Sequence, residues 1–319
     1  MILKYSDNPF KQVFGIAYYN KGNILAYTTA SILAVVQYKL ATPLDFQAIT
    51  LPITPISILG SALAIFLAFR NNSAYDRWWE ARKIWGGIVN TSRAWGVMVT
   101  TFPSTHYSAG KVNQEEVEGY KHTLIKRHIA WLYALTLHLR KQNHWEDLLK
   151  YISEQELEEM KKYHNKPCHL IHIQSHCLQS MYEKGIIDNF RHIELMERIK
   201  ELYDLQGKAE RIKGTVFPYY YNYFTIVFLW LFILCLPFAL VPLMDWGTIF
   251  MSVSISFVFT ILEKSGAVTE DPFENRAADT PISTITRNIE IDLLEMIKSE
   301  VVPAALDRKV GRFGVQYLD

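Results

Sequence analysis

The sequence predicts an all-α membrane protein in which four transmembrane helices are continuous with a large cytoplasmic helical region. Three observations predict this class. Four long stretches contain no Asp, Glu, Lys or Arg; they cover residues 22–38, 46–69, 214–244 and 246–262. The segments between them carry apolar residues at helical spacing, and no segment shows the alternation that is typical of a β-strand.

The four charge-free stretches predict spans at residues 22–40, 48–70, 216–243 and 246–263. The first and last stretches are at the short end of the length needed to cross a bilayer, whereas the second and third are long enough. Pro218, Pro237 and Pro242 predict a kinked or broken third span. A soluble protein with buried core helices is the alternative, but Tyr219–Leu240 is apolar on every face, which such a helix does not need.

The second predicted span has no helix breaker at its end. It runs directly into the charged sequence RNNSAYDRWWEAR, residues 70–82. An apolar helix that crosses a bilayer and continues into water is typical of a pore-lining helix, so the pattern favours transport across a membrane.

Charge asymmetry predicts the orientation of the chain. Lys39 is the only basic residue in the two short loops that four spans would place outside, although the chain has 33 Lys and Arg residues. The positive-inside rule therefore predicts cytoplasmic N- and C-termini. Cys168, Cys177 and Cys235 are then intracellular or within the membrane, and we expect no disulfide framework.

The cytoplasmic helices are predicted within residues 71–213 and 264–298. Two core-facing stripes predict that these helices pack on one another. The first contains Val117, Tyr120, Leu124, His128, Trp131, Leu135 and Leu139, and the second contains Ile285, Ile289, Leu293 and Met296. We expect residues 1–319 to form a single domain without a flexible linker. The tail at 299–319 is either mobile or a latch on a neighbouring subunit.

The second span carries two adjacent stripes with a period of four residues. The stripes are Gly60, Ala64, Ala68 and Ser61, Ile65, Phe69. Small residues at this spacing allow close helix contact in lipid, and a ring of the larger apolar side chains would make a narrow constriction. The alternative is that Ile65 and Phe69 fill a bundle core or face lipid. Because one helix cannot line a pore, a channel requires an oligomer.

Three motifs make the chain resemble a bacterial member of the bestrophin ion-channel family. The first is PISILGSALAIFLAFRNNSAYDRWWEARKIWG at residues 55–86, and the others are LPFALV at 236–241 and EDPF at 270–273. The resemblance extends over roughly residues 10–297. It implies a homopentamer around one axial pore, with a neck formed by Ser61, Ile65 and Phe69. It also implies a second, cytoplasmic constriction, which we assign to Phe190.

Two positions depart from the family pattern. Ser61 replaces a bulky apolar neck residue, which predicts a wetter and looser wide end of the neck. In animal members an acidic run follows the sequence that matches EDPF and binds calcium. Arg276 stands here where a carboxylate ligand would be needed, and only Asp279 is kept. We expect a structural turn without a calcium site, because a guanidinium repels the cation.

These features favour a passive channel for small monovalent ions in the bacterial inner membrane, with partners limited to lipid, permeant ions and copies of itself. The resemblance favours chloride or another anion, and a cation-selective channel of the same fold stays open. A membrane-anchored metal-binding protein or enzyme could use His169, His172 and His176, which share a helical face. We expect no cofactor, no metal site and no nucleic-acid partner, since no basic stripe is present. A non-conducting scaffold is the remaining alternative.

Overall fold

A computed structural model describes residues 2–4, 9–108, 112–215, 219–311 and 315–319. Within these residues the α-helices are α1 (Pro9–Tyr19), α2 (Lys21–Ala41), α3 (Ile53–Thr101), α4 (Gln114–Leu139), α5 (Glu154–Lys161), α6 (Lys166–Glu183), α7 (Asn189–Gly214), α8 (Tyr219–Met244), α9 (Gly247–Thr269) and α10 (Ile282–Met296). Thr105–Tyr107 and Trp145–Lys150 form short 3-10 turns. The strands are β1 (Ile2–Lys4), β2 (Lys309–Val310) and β3 (Gln316–Tyr317).

Helix α3 is one uninterrupted helix of 49 residues, about 73 Å long at the α-helical rise. The predicted continuity through Arg70 is therefore confirmed. The predicted start at residue 48 is wrong, since the helix begins at Ile53 after an extended Pro52. A second proline, Pro55, lies in the first turn, where its missing N–H would have no helical partner in any case.

Four of the described helices are long and apolar enough to cross a membrane: α2, α3, α8 and α9. We call α2, residues 53–70 of α3, α8 and α9 the apolar bundle. Helix α8 continues through Pro237 and Pro242, so it is not broken at either proline. Residues 216–218, which include Pro218 and the predicted start of the third span, lie outside the described residues. Helix α9 extends to Thr269, beyond the predicted end at 263.

The remaining helices form a polar body with its own core. We define the polar body as residues 71–101 of α3 together with α4–α7 and α10. Trp85, Trp95 and Trp131 are fully buried in its core. The α4 stripe predicted from the sequence faces this core, with only Tyr120 partly exposed. Because α3 contributes to both the bundle core and the body core, it links the two.

A small antiparallel sheet joins the two ends of the described chain, with strand order β1-β3-β2. The sequence did not predict it, because strands of two or three residues are too short to show a period. The carbonyl of Asp319 accepts hydrogen bonds from the N–H and Oγ1 of Thr284, both at 2.8 Å. Arg140 Nη2 lies 3.3 Å from the Asp319 carboxylate. The end of the tail thus packs against its own chain.

Candidate pore-lining helix

One face of α3 packs against the chain's own helices. Its buried residues recur at alternating steps of four and three, which keeps them on one side of the helix. They are Ile56, Gly60, Leu63, Leu67, Arg70 and Ala74. A Cβ at Gly60 would lie only 2.8 Å from the Phe232 ring, so this glycine permits the close contact between α3 and α8.

The opposite face of α3 is not covered by the chain itself. Ile65 and Phe69 are 58% and 63% exposed, and Ser61 is also exposed. Ile65 is two residues from both Leu63 and Leu67, a rotation of about 200° in each direction. The stripe of Ser61, Ile65 and Phe69 therefore does not fill the core of a single subunit.

In the small-residue stripe predicted beside it, only Gly60 is buried. Ala64 and Ala68 are exposed in the single chain. The prediction that this stripe makes the helix–helix contact around an axis concerns other copies of the chain and stays a prediction. Within the chain, the larger Leu63 and Leu67 hold the contact because they reach into the bundle core.

The Ser61 hydroxyl has little hydrogen-bonding capacity left to offer at the exposed face. Its hydroxyl donates to the Ser57 carbonyl at 3.0 Å, one turn earlier in the helix. Ser57 in turn donates to the Ile53 carbonyl at 3.0 Å. Because both hydroxyls are bonded to the helix backbone, Ile65 and Phe69 leave an apolar surface along this part of α3.

A buried ion cluster follows directly after Phe69. Arg70 is 1% exposed, and its guanidinium lies 3.1 Å from Glu263 and 3.4 Å from Glu270. Two carboxylates, one from α9 and one from its C-terminal end, thus pair with the cation and hold it on the buried side of α3. No local sequence pattern predicted this cluster. The feature of the sequence that could have indicated it is a pair of opposite charges, with Arg70 at the end of one predicted span and Glu263 at the end of another.

Further contacts fix α3 just beyond the bundle. Arg77 Nη2 donates to the Ile212 carbonyl, and Trp78 Nε1 donates to the Ala278 carbonyl at 3.1 Å. These bonds join α3 to the end of α7 and to the turn after α9. The exposed face of Ser61, Ile65 and Phe69 therefore belongs to a helix that is fixed by contacts along much of its length.

The turn after α9 is compact. Asp279 is 3% exposed, and one of its oxygens accepts from the Arg276 N–H at 3.0 Å. Burial raises the pKa of the Asp279 carboxyl. Lys213 pairs with Glu274 and holds the turn against α7. These contacts hold the turn together; the predicted absence of calcium binding stays a prediction.

Phe190 lies in the first turn of α7 and is 80% exposed. It therefore does not belong to the core of the subunit. The Asp188 side chain caps the helix by accepting from the Arg191 N–H at 3.0 Å. The Arg191 guanidinium lies 5.7 Å from the Phe102 ring centre, which places the start of α7 beside the end of α3.

The histidine cluster on α6 does not assemble into one site. His169 is 7% exposed and stacks on Tyr163 with ring centres 3.8 Å apart. His172 and His176 are exposed instead, with their Nε2 atoms 3.0 Å apart. Among the described residues, no three His, Cys, Asp or Glu side chains are grouped closely enough to hold a metal ion.

Comparisons with known proteins place this arrangement in a family. The family model described as bacterial/fungal bestrophin protein matches residues 21–295. The voltage-dependent anion channel-forming protein YneE of Escherichia coli K12 is 32% identical over 254 residues, which cover 80% of each chain. A voltage-dependent anion channel-forming protein of Synechocystis is 28% identical over 254 residues, which cover 78% of this chain and 79% of the relative.

Solved structures show the same fold. The crystal structure of a bacterial bestrophin homologue from Klebsiella pneumoniae superimposes with a TM-score of 0.77 at 27% identity. The match covers 87% of this chain and 98% of that one. This family is one of membrane ion channels and not of enzymes. The match over most of the sequence, together with the long α3 helix, shows that the chain belongs to the bacterial and fungal bestrophin family.

Proposed function

We propose that this protein is a passive channel for small monovalent ions that favours anions such as chloride. The observation that carries the proposal is the uncovered apolar face of α3. Ile65 and Phe69 are more than half exposed on a helix whose other side is anchored by buried contacts. The printed names of the curated relatives, which describe anion channel-forming proteins, support the choice of anions.

In the proposed assembly five copies surround one axis, and each contributes the Ser61, Ile65 and Phe69 face to a common neck. Large apolar side chains close such a neck by excluding water when it is narrow and pass partly dehydrated ions when it widens. Ions move down their electrochemical gradient, so no catalytic residue is required. Arg70 adds no net positive charge at the neck, because it is paired with two carboxylates, Glu263 and Glu270.

The orientation follows the predicted charge asymmetry. The protein lies in the bacterial inner membrane, with both termini and the polar body in the cytoplasm. Phe190, exposed at the start of α7, forms the second constriction where ions leave the pore. Permeant ions therefore cross two apolar rings that belong to separate helices.

The test is single-channel recording of the purified protein in planar bilayers. Ile65→Ala and Phe69→Ala should each raise conductance, since each removes bulk from the proposed neck. Phe250→Ala is a matched control, because Phe250 is 74% exposed on α9 and lies on a different helix. Unchanged conductance in both neck variants would show that this face of α3 does not line the path.

Selectivity and assembly need separate measurements. In asymmetric potassium chloride the reversal potential should move towards the chloride equilibrium potential. A reversal potential near that of potassium would identify a cation channel of the same fold and overturn the anion preference alone. Native mass spectrometry should show five subunits, and a monomer without flux in liposomes would overturn the proposal as a whole.

A further inference from the structure

A cavity of about 740 Å³ opens on the polar body, far along the chain from the proposed neck. Its walls come from α4, from the turn at Lys150 and Tyr151, from α10 and from residues 297–303. None of these residues belongs to the face of α3 described above. The cavity is therefore a separate feature of the same subunit.

Cationic side chains dominate the cavity wall. Lys126, Lys150, Arg287 and Lys298 all line it. Among the described residues, Lys126, Lys150 and Lys298 have neither an ion pair nor a hydrogen-bond partner for their ammonium groups. Other lysines of the polar body are paired with carboxylates; examples are Lys121, Lys161, Lys162, Lys184 and Lys213. The concentration of unpaired lysines around one cavity is a charge imbalance that an anion would relieve.

The carboxylate at the cavity floor cannot relieve it. Glu290 is 2% exposed and accepts hydrogen bonds from Tyr133 at 2.5 Å and from Tyr151. Burial, followed by the hydrogen bond to Glu290, raises the pKa of both tyrosines, so both hydroxyls remain protonated donors. Arg287 Nε lies 3.3 Å from the same carboxylate, which leaves Glu290 fully engaged.

Two further titratable groups line the cavity, His122 and Glu300. Glu300 is exposed and sits in the same short segment as Lys298. Even with both carboxylates ionised, four permanent cations face two anions across the cavity. Divalent cations are therefore disfavoured, and ligands with two or more negative charges are favoured.

We propose that this cavity binds a small multivalent phosphate-bearing anion from the cytoplasm. Ammonium groups bind phosphate oxygens through charge-assisted hydrogen bonds, and several lysines can each contact a different oxygen. Leu294, Ile297, Val301 and Pro303 supply an apolar wall for the non-phosphate part of such a metabolite. A volume of this size accommodates a small metabolite and not a folded partner.

The experiment is calorimetric titration of the full-length protein in detergent with inorganic tripolyphosphate. We expect saturable binding that weakens as salt is added, because the contacts are screened. Lys126→Gln and Lys150→Gln should each weaken binding about fivefold or more, as the loss of a roughly 1 kcal/mol contact implies. Lys208→Gln is the matched control, since Lys208 is exposed and unpaired on α7 among the described residues.

A third variant separates binding from folding. Lys298 adopts a left-handed backbone conformation with φ of 52° at the end of α10, a position that favours glycine. Lys298→Gly should therefore keep or raise the thermal stability while it weakens tripolyphosphate binding. Equal affinity in this variant and in wild type would count against a role for Lys298 in the site.

Competing anions identify the ligand class. Inorganic phosphate should bind at least tenfold more weakly than tripolyphosphate, since it carries fewer charges. Citrate that binds as tightly as tripolyphosphate would overturn the choice of phosphate. The absence of tripolyphosphate binding at millimolar concentration, or equal losses in Lys208→Gln and Lys126→Gln, would overturn the site itself.

Discussion

His128 provides a direct test of the polar-body core through pH. Its imidazole is fully buried between two tryptophan rings, with ring centres 6.0 Å from Trp95 and 5.1 Å from Trp131. Nε2 lies 2.9 Å from Ser92 Oγ, and Nδ1 has no hydrogen-bond partner among the described residues. Burial lowers the pKa of His128 to about 3, so the folded protein holds it neutral.

The sign of the pH effect follows from proton linkage. In the unfolded chain the His128 pKa returns to its ordinary value of 6.5. Below that pH the unfolded chain binds one proton that the folded chain does not, so the free energy of unfolding falls by about 1.4 kcal/mol per pH unit. Between pH 6.5 and 5 this single residue removes about 1.6 kcal/mol of stability, since half of the unfolded chains are already protonated at pH 6.5. The loss continues until the pH reaches the folded-state pKa.

The assay compares thermal unfolding of wild type and His128→Gln from pH 7.5 to 5.0, followed by tryptophan fluorescence. Glutamine cannot titrate, so the midpoint of the variant should fall less steeply with acidification, whatever its stability at pH 7.5. His144→Gln, which removes an exposed imidazole from the same body, should keep the wild-type slope. Parallel pH profiles for wild type and His128→Gln would refute a buried neutral histidine.

Three further substitutions test packing and charge. Gly96→Val should lower the free energy of unfolding by about 1–3 kcal/mol through overpacking, since a Cβ would lie 2.5 Å from Leu293. An unchanged melting temperature would argue against this contact between α3 and α10. Arg70→Met should cost up to about 3 kcal/mol because the partly buried Glu263 loses its cation. The double variant Arg70→Met with Glu263→Gln should recover part of this loss in the same thermal unfolding measurement. Lys39→Ala should change stability by less than about 1 kcal/mol, since its ion pair is exposed; a larger loss would contradict that exposure.

Features that lie within a single segment could be predicted from the sequence, because the segment carries its own signal. The apolar stretch before Arg70 and the mixed helix after it contain no breaker, so one continuous α3 could be predicted. The predicted start of α3 was too early, because a segment without charged residues is not necessarily helical. Residues 46–52 are as free of charged residues as the span, yet Pro52 is extended and the helix begins only at Ile53.

The features that were missed depend on residues far apart in the chain. Arg70 and Glu263 are separated by 193 positions, and no local pattern pairs them. The same holds for the cavity cations, which come from α4, α10 and the turn between α4 and α5. The exposed stripe of Ser61, Ile65 and Phe69 could be predicted because its geometry belongs to one helix. Its place at a shared axis depends on other subunits and stays a proposal.

The anchoring of α3 limits how the proposed neck can widen. Phe69 precedes Arg70, whose ion pairs fix α3 to α9. About 40 Å further along the same helix, Gly96 packs against Leu293 of α10. A local bend at the neck would have to break the buried ion pairs or interrupt an α-helix that contains no internal proline beyond its first turn. Widening therefore requires new side-chain rotamers of Ile65 and Phe69 or a tilt of the whole helix. A tilt would also move the contact with α10, so Gly96→Val should alter conductance as well as stability.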